Sequence, residues 1–304
     1  MAIPMRNADF RAIVEPVLNE AFDGVYELRK DEWKLVFKEI DGTPRNYHEE
    51  PVIFGLGAAP EMPEGQGVQY DAGGVMYLAR YIYRVYGLGF ALTKVLVEDG
   101  DHIRLGRIFA EYLAQSLIET KETLCANILN RAFNGSYAGG DGVALCVNNH
   151  PTRVGTYSNI LATPAALSQT SVEQMLVLVR KAVNDRNLKI NLTPLKLVTS
   201  PENLFQAEVI LKSVLRAGTA NNDINPIKSI GLLSEGQANI SRLSSATAWW
   251  IKTDAPRGLQ LAMRRSLEKS MEGDFDTDSM RYKSTERYWP WWTNPRTLFG
   301  TPGL

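Results

Sequence analysis

Tyr288-Trp289-Pro290-Trp291-Trp292 sets three of the chain's six tryptophans within four consecutive positions, directly after an alternating segment. Met280, Tyr282, Ser284, Glu286 and Tyr288 fall on one side of a period-two ribbon, and Arg281, Lys283, Thr285 and Arg287 fall on the other. Large aromatic surface at this density must be buried, either in its own domain or against a neighbouring subunit. The C-terminal region is therefore an ordered part of the fold, where most chains fray.

The remainder of the sequence can supply a core for it. With 304 residues and 44% hydrophobic content, the chain is long enough for one large domain or two modest ones. A formal charge of −1 argues against a dedicated nucleic-acid binder, which carries a basic excess. Two cysteines, Cys125 and Cys146, give no disulfide framework and suit a reducing compartment. No run of about eighteen apolar residues occurs and the first residues lack a signal-peptide pattern, so neither a membrane span nor a cleaved export signal is expected.

Along the chain, residues 1–32 are acidic-leaning, with one helix expected over 9–22. Trp33, Leu35 and Phe37 alternate with Lys34, Val36 and Lys38 as in a strand, and Asp41-Gly42 suits a hairpin turn. Residues 51–74 then carry six glycines and three prolines, too many breakers for a packed helix or central strand. A long irregular segment of this kind tends to be functional or to reach outward. Residues 76–97 are aromatic and β-branched and fit one or two strands, although 78–80 could equally begin a helix.

Residues 102–133 give the clearest element. Leu105, Ile108, Phe109, Tyr112, Leu113, Leu117, Leu124, Ile128 and Leu129 recur at helical spacing, and Asn134-Gly135 supplies a stop. A helix of that length is a strut of ~48 Å. Its opposite face, with Arg104, Arg107, Glu111, Gln115, Glu119 and Glu122, should be solvated or touch something polar. Downstream, strands are expected at 143–147, 195–199, 230–233, 248–252 and 259–263, and helices at 171–187, capped by Ser171, and at 202–215, capped by Ser200-Pro201. The polar loop 217–225 follows that second helix. This is an α+β order with no βαβ rhythm and no internal repeat.

Catalytic signals are weak. His48, His102 and His150 are scattered, and Cys146 with His150 forms an isolated pair where zinc needs at least three protein ligands. Asp274, Asp276 and Asp278 begin like a calcium loop, but the required glycine and the closing glutamate are missing. Neither Gly55-Leu56-Gly57 nor Gly87-Leu88-Gly89 completes a phosphate loop, and no nucleophile elbow occurs.

The order of parts, with the loop Asp141-Gly142-Val143-Ala144-Leu145, His150-Pro151 and Asn159 and the closing Ser279-Met280-Arg281-Tyr282 and Trp292-Thr293-Asn294-Pro295-Arg296, resembles the major capsid proteins of tailed bacteriophages, the Mu-like head subunits in particular. The resemblance covers nearly the whole chain. It implies the α+β fold of phage and herpesvirus capsid proteins, with an N-terminal arm at 1–32 and an extended loop at 33–71. A peripheral domain would take 72–191 and 255–304, including a spine helix at 102–133, and an axial domain would take 192–254.

The function it implies is a shell of pentamers and hexamers around double-stranded DNA, with no enzymatic activity, cofactor or membrane. Subunit contacts are expected at Arg45, Tyr47, Glu49 and Glu50 in the loop, at Asn221, Asn222 and Asp223 in the axial loop, and at Trp289, Trp291, Trp292 and Arg296. Arg6, Arg11, Arg104 and Arg107 are candidates for contact with DNA phosphates without sequence specificity; intersubunit salt bridges are the alternative for them. A portal protein, a separate scaffolding protein and a decoration protein complete the implied partners, with assembly in the host cytoplasm and a final location in the virion. Some members of the family cross-link through a lysine in the extended loop, whereas no lysine lies between Lys38 and Lys94 here, so a non-covalent shell is expected. An encapsulin-type cellular compartment is the nearest rival, and a soluble hydrolase with a non-contiguous site a more distant one.

Overall fold

The computed structural model describes residues 7–93, 95 and 96, 102–216, 223–274 and 279–304, with side chains from residue 14 onward. Its frame is a four-stranded sheet in the order β1 (Lys38–Asp41), β10 (Leu259–Asp274), β11 (Ser279–Trp292), β4 (Arg84–Leu92). β10 and β11 form a long antiparallel ribbon with register shifts between Met263 and Arg265 and between Arg265 and Glu268. The alternation read from the sequence sets its faces. Met280, Tyr282, Ser284, Glu286 and Tyr288 are all buried, while Arg281 and Lys283 are exposed.

Helix α2 (His102–Asn130) packs across that buried face and spans ~43 Å at ~1.5 Å per residue. Its buried line runs through Gly106, Ala110, Leu113, Ala114, Leu117, Lys121 and Cys125. Phe109 and Tyr112, expected inside, are instead exposed, while Glu122, expected in solvent or against something polar, is buried against backbone N–H groups. The small residues explain the rotation. A Cβ at Gly106 would stand 2.9 Å from Leu18 Cδ2, so this side of α2 is where helix α1 (Asn7–Tyr26) can approach. Val14, Leu18, Ala21 and Phe22 of α1 share a core with Leu113, Leu117, Met271, Met280 and Tyr282. From residue 14 to Tyr26 the segment expected to be an arm is thus docked on the body.

The second layer is a sheet in the order β12 (Leu298–Thr301), β9 (Trp249–Thr253), β7 (Pro194–Thr199), β8 (Gln237–Asn239), flanked by α3 (Gln169–Arg180), α4 (Leu204–Lys212) and the short α5 (Pro226–Ile230). Trp249 and Trp250 are consecutive on β9 and point to opposite faces. Trp249 packs with Met175, Val179, Leu197, Ile251 and Phe299, and Trp250 packs with Val36, Leu129, Leu261, Tyr288 and Leu298. One strand therefore serves two cores, and the last strand of the chain belongs to this layer.

Several expectations change for local reasons. Trp33–Leu35 is a 3-10 turn, not a strand, because Trp33, Val36 and Phe37 are buried at helical spacing and the Glu122 carboxylate accepts the N–H groups of Glu32 (2.7 Å) and Trp33 (3.0 Å). Asp41-Gly42 turns no hairpin, since β1 runs parallel to β10 and a Cβ at Gly42 would meet Arg264 Cα at 2.7 Å. Residues 143–147 form no strand; Ala132 O takes the N–H of Cys146 and Asn159 Oδ1 that of Val147, and the short antiparallel pair β5 (His150–Pro151) and β6 (Thr156–Tyr157) follows. α3 is capped by Ser168, with Ser171 as its capping-box partner, and ends at Arg180. The second predicted helix opens as a 3-10 turn, Pro201–Asn203, and ends at Lys212. In place of a strand at 230–233, α5 is capped by Asn225 and closed by Gly231 at φ 71.

Candidate assembly surfaces

Of the segment 33–71 expected as the extended loop, residues up to Asp41 belong to the body, and the projecting part is an antiparallel hairpin of β2 (Tyr47–Phe54) and β3 (Gly74–Ile82), with residues 55–73 as its tip. The aromatic cluster beside Pro290 anchors its base. Trp291 stacks on Tyr81 at 5.0 Å and contacts His48 at 4.8 Å, and the Tyr81 hydroxyl donates to Trp292 O. Burial pushes the Tyr81 phenol up to about 12, so it stays a donor at physiological pH. The Thr293 hydroxyl donates to Glu50, which also faces Arg257 Nε at 3.5 Å. Beyond this base the tip is exposed, including Leu56, Met62, Val68 and Tyr70.

A second polar centre lies between α1, α2 and the ribbon. Lys121 Nζ stands 2.7 Å from Glu286 Oε2 and donates to the Tyr26 hydroxyl at 2.7 Å; that hydroxyl lies 3.3 Å from Glu286 Oε2. Both charged side chains are buried. Burial alone would lower the Lys121 pKa, but Glu286 and Tyr26 outweigh it and hold the ammonium above its ordinary value. Burial raises the Glu286 carboxyl, partly offset by Lys121 and Tyr26. Toward the second layer, Arg242 joins Glu119 (2.6 Å) and Glu32 (2.9 Å), while Ser241 donates to Glu32 through its N–H and hydroxyl. Burial would raise the Glu32 carboxyl, yet the Ser241 and Arg242 donors bring it below the usual range.

The third centre gathers the two motifs that carry the resemblance. Asn159 is wholly buried, and its Nδ2 donates to Leu145 O (2.7 Å), Pro295 O (3.1 Å) and Leu298 O (3.0 Å) while its Oδ1 accepts from Val147 N (2.9 Å). His150 stands between Asp141 (Nδ1 to Oδ2, 2.7 Å) and Asn159 (Nε2 to Oδ1, 3.2 Å) and stacks on Tyr157. Arg296 covers the other side of Tyr157 at 4.4 Å and donates to Val183 O (2.8 Å) and Asp185 (2.9 Å). The loop 141–159 and the Asn294-Pro295-Arg296 turn, 136 residues apart between Asn159 and Pro295, are thus one knot. Nothing in it is arranged as a nucleophile with a base, and among the described residues no group of His, Cys, Asp or Glu could hold a metal ion.

The residues expected at subunit contacts divide by this geometry. Trp291, Trp292 and Arg296 are buried by their own chain, and Trp289 is half-buried beneath Arg84 at 4.6 Å. They are internal anchors, because the hairpin base and the knot both need them. Glu50 likewise has partners within the chain. Arg45, Tyr47 and Glu49 lie together on the hairpin with Arg80, whose guanidinium is 4.6 Å from the Tyr47 ring and ion-paired to Glu49. Asp223 is exposed beyond α4, and Asn221 and Asn222 lie outside the described residues. Arg104 and Arg107 are exposed on α2; Arg6 lies outside the described residues, and Arg11 falls on α1 where side chains are not described. Sequence reasoning missed Lys121, Arg186 and Arg242. Glu286 was the one legible signal, a carboxylate on the apolar face of the ribbon.

A model of the phage capsid protein family matches residues 84–299. No curated protein matches the chain. Among solved structures, the mature capsid of bacteriophage PhiM1 is similar at a TM-score of 0.56 and 11% identity, covering 90% of this chain and 86% of that one. The virus-like particle from Pyrococcus furiosus follows at 0.54 and 11%, covering 94% and 98%. The capsid of cyanophage P-SCSP1u gives 0.52 and 9%, covering 87% and 85%. These likenesses give the shared capsid fold, and the family match runs through the spine helix, the ribbon and the knot: the chain belongs to the phage capsid protein family.

Proposed function

We propose that this capsid protein assembles as pentamers and hexamers into the icosahedral head of a tailed phage and encloses double-stranded DNA. The family match over 84–299 carries the reading. The exposed tip of the extended loop, with Leu56, Met62, Val68 and Tyr70, supports it as apolar surface available to a neighbouring copy. Arg45, Tyr47 and Glu49 on the hairpin, and Asn221, Asn222 and Asp223 in the axial loop, are the subunit contacts proposed with it. Many weak symmetric contacts then sum to a stable shell. Portal, scaffolding and decoration proteins are its partners, and assembly takes place in the host cytoplasm. Purified protein at high concentration should show particles of megadalton size by gel filtration and negative-stain microscopy. A persistent monomer or small oligomer would overturn the proposal.

The virus-like particle from Pyrococcus furiosus, nearly all of whose chain is matched, favours one second reading, a cellular compartment shell around an enzyme cargo. Particle content separates the two, DNA for the first and a cargo enzyme for the second. For DNA, Arg104 and Arg107 on the exposed side of α2 are the proposed phosphate contacts. Replacing both with glutamine should lower genome retention while leaving shell yield unchanged; a loss of shells would make them subunit contacts. Since no lysine lies between Lys38 and Lys94, mature particles should run as a monomer band in denaturing electrophoresis, and a covalent ladder would refute a non-covalent shell.

A further inference from the structure

The neck of the extended loop has little of its own to set a direction. The β2–β3 ladder shifts register between Val52 and Ile53, and Gly55, Gly57, Gly73 and Gly74 flank the tip. Glycines in such positions leave the backbone free to pivot. Two arginines from elsewhere reach the neck: Arg153 stands 5.6 Å from the Phe54 ring, and Arg186 bonds both strands. Arg186 donates through Nε to Gly55 O (3.2 Å) and through its terminal nitrogen to Ala72 O (2.9 Å) and Asp71 Oδ1 (3.2 Å), with its guanidinium 5.2 Å from the Phe54 ring. Asp71 completes the tie by accepting the N–H groups of Gly57 and Ala72, each at 2.8 Å. Both strands of the neck are therefore held by a single planar fork, a task the point charge of a lysine performs poorly.

Arg186 is itself firmly presented. Asn184 Oδ1 accepts from Arg186 N (2.9 Å) and Leu188 N (2.8 Å), and Asn187 closes the turn at φ 61. The adjacent Asp185 points the other way and holds Arg296 of the knot at 2.9 Å. Two consecutive residues thus connect the buried knot to the exposed tip of the loop.

We infer that Arg186 is the positioning residue of the extended loop, fixing the direction in which residues 58–70 leave the body and hence the geometry at which one copy meets the next. This rests on the proposed loop contact between copies. The main role of the residue is not stability of the fold: its half-buried side chain bonds only the neck, and the tip it directs adds little to the core. The hydrogen bonds from Gly57 and Ala72, with Arg186 beside them, keep the Asp71 carboxyl below its ordinary range, so the tie persists into mild acid.

The test compares the full chain with Arg186→Ala, and with Asp71→Asn as a variant that leaves the 184–188 turn untouched. Spin labels at Gln66→Cys on the tip and Glu202→Cys on the body report the loop direction in unassembled subunits, since Cys125 and Cys146 are buried. The distance distribution should broaden about twofold in Arg186→Ala and less in Asp71→Asn, with the melting temperature unchanged and closed shells reduced. An unchanged distribution in both variants would overturn the inference. Replacing the tip by a glycine-serine linker isolates the reading beneath it. Normal shells without the tip would refute the loop contact while the distance measurement still decides the role of Arg186; if shells require the tip yet Arg186→Ala closes normally, the positioning role alone fails.

Discussion

Lys121→Met should cost the subunit about 3–5 kcal/mol of unfolding free energy, because it leaves the Glu286 carboxylate buried without its cation. The side chains of Lys121 and Glu286 are 8% and 0% exposed, so solvent cannot take over the missing role. The tyrosine faces add to it, with Lys121 Nζ 5.4 Å from the Tyr26 ring and 5.1 Å from that of Tyr288. The double variant Lys121→Met, Glu286→Leu should recover most of the loss, since the orphaned charge is then removed. Equal loss in the single and double variants, measured by urea denaturation of unassembled subunits, would show that the pair is not coupled.

The pH dependence of the single variant follows from the same logic. Burial already raises the Glu286 carboxyl, and loss of Lys121 raises it further. The folded state then binds a proton that the unfolded state releases above about pH 4.3. Stability in Lys121→Met should therefore be nearest to wild type in acid and fall as pH rises through the raised folded-state value. A deficit that stays constant with pH would point to lost packing instead.

Asn159→Ala should cost a comparable ~3–5 kcal/mol, because the carbonyls of Leu145, Pro295 and Leu298 and the N–H of Val147 all lose their partner at a site of 0% exposure. The side chain is a four-way junction between the 141–159 loop and the turn that begins β12. Its loss should loosen the C-terminal strand before the rest unfolds. Hydrogen exchange at 298–301 should rise well above that at 281–288; uniform exchange across both would mean that the knot is no separate unit.

How much of this was legible depends on how local the cause is. The ribbon faces were readable because alternation over nine residues is a local property, and all five inward positions are buried. The existence of α2 was readable for the same reason. Its rotation was not, because Gly106, Ala110 and Ala114 became the buried face only once α1 was found to pack there. Trp33–Phe37 reads equally as alternation or as i, i+3, i+4, and the choice was made by Glu122, 89 residues away, accepting the Trp33 N–H. The motifs at Asp141, His150, Asn159 and Asn294–Arg296 marked the family. That they are parts of one knot was invisible, since no local pattern encodes a contact across 136 residues.

Trp249 and Trp250 carry a mechanical consequence. Because neighbouring side chains of β9 are wedged into two different cores, a force applied to one layer reaches the other across a single peptide unit. The two layers behave as one stiff plate, unable to slide past each other without extracting an indole from its seat. In a shell, the strain of fitting identical plates to unequal local curvature therefore falls on the one compliant margin described, the exposed loop tip beyond the Arg186 tie. Measured local stiffness should drop there and stay high along the ribbon, which α1 and α2 cover.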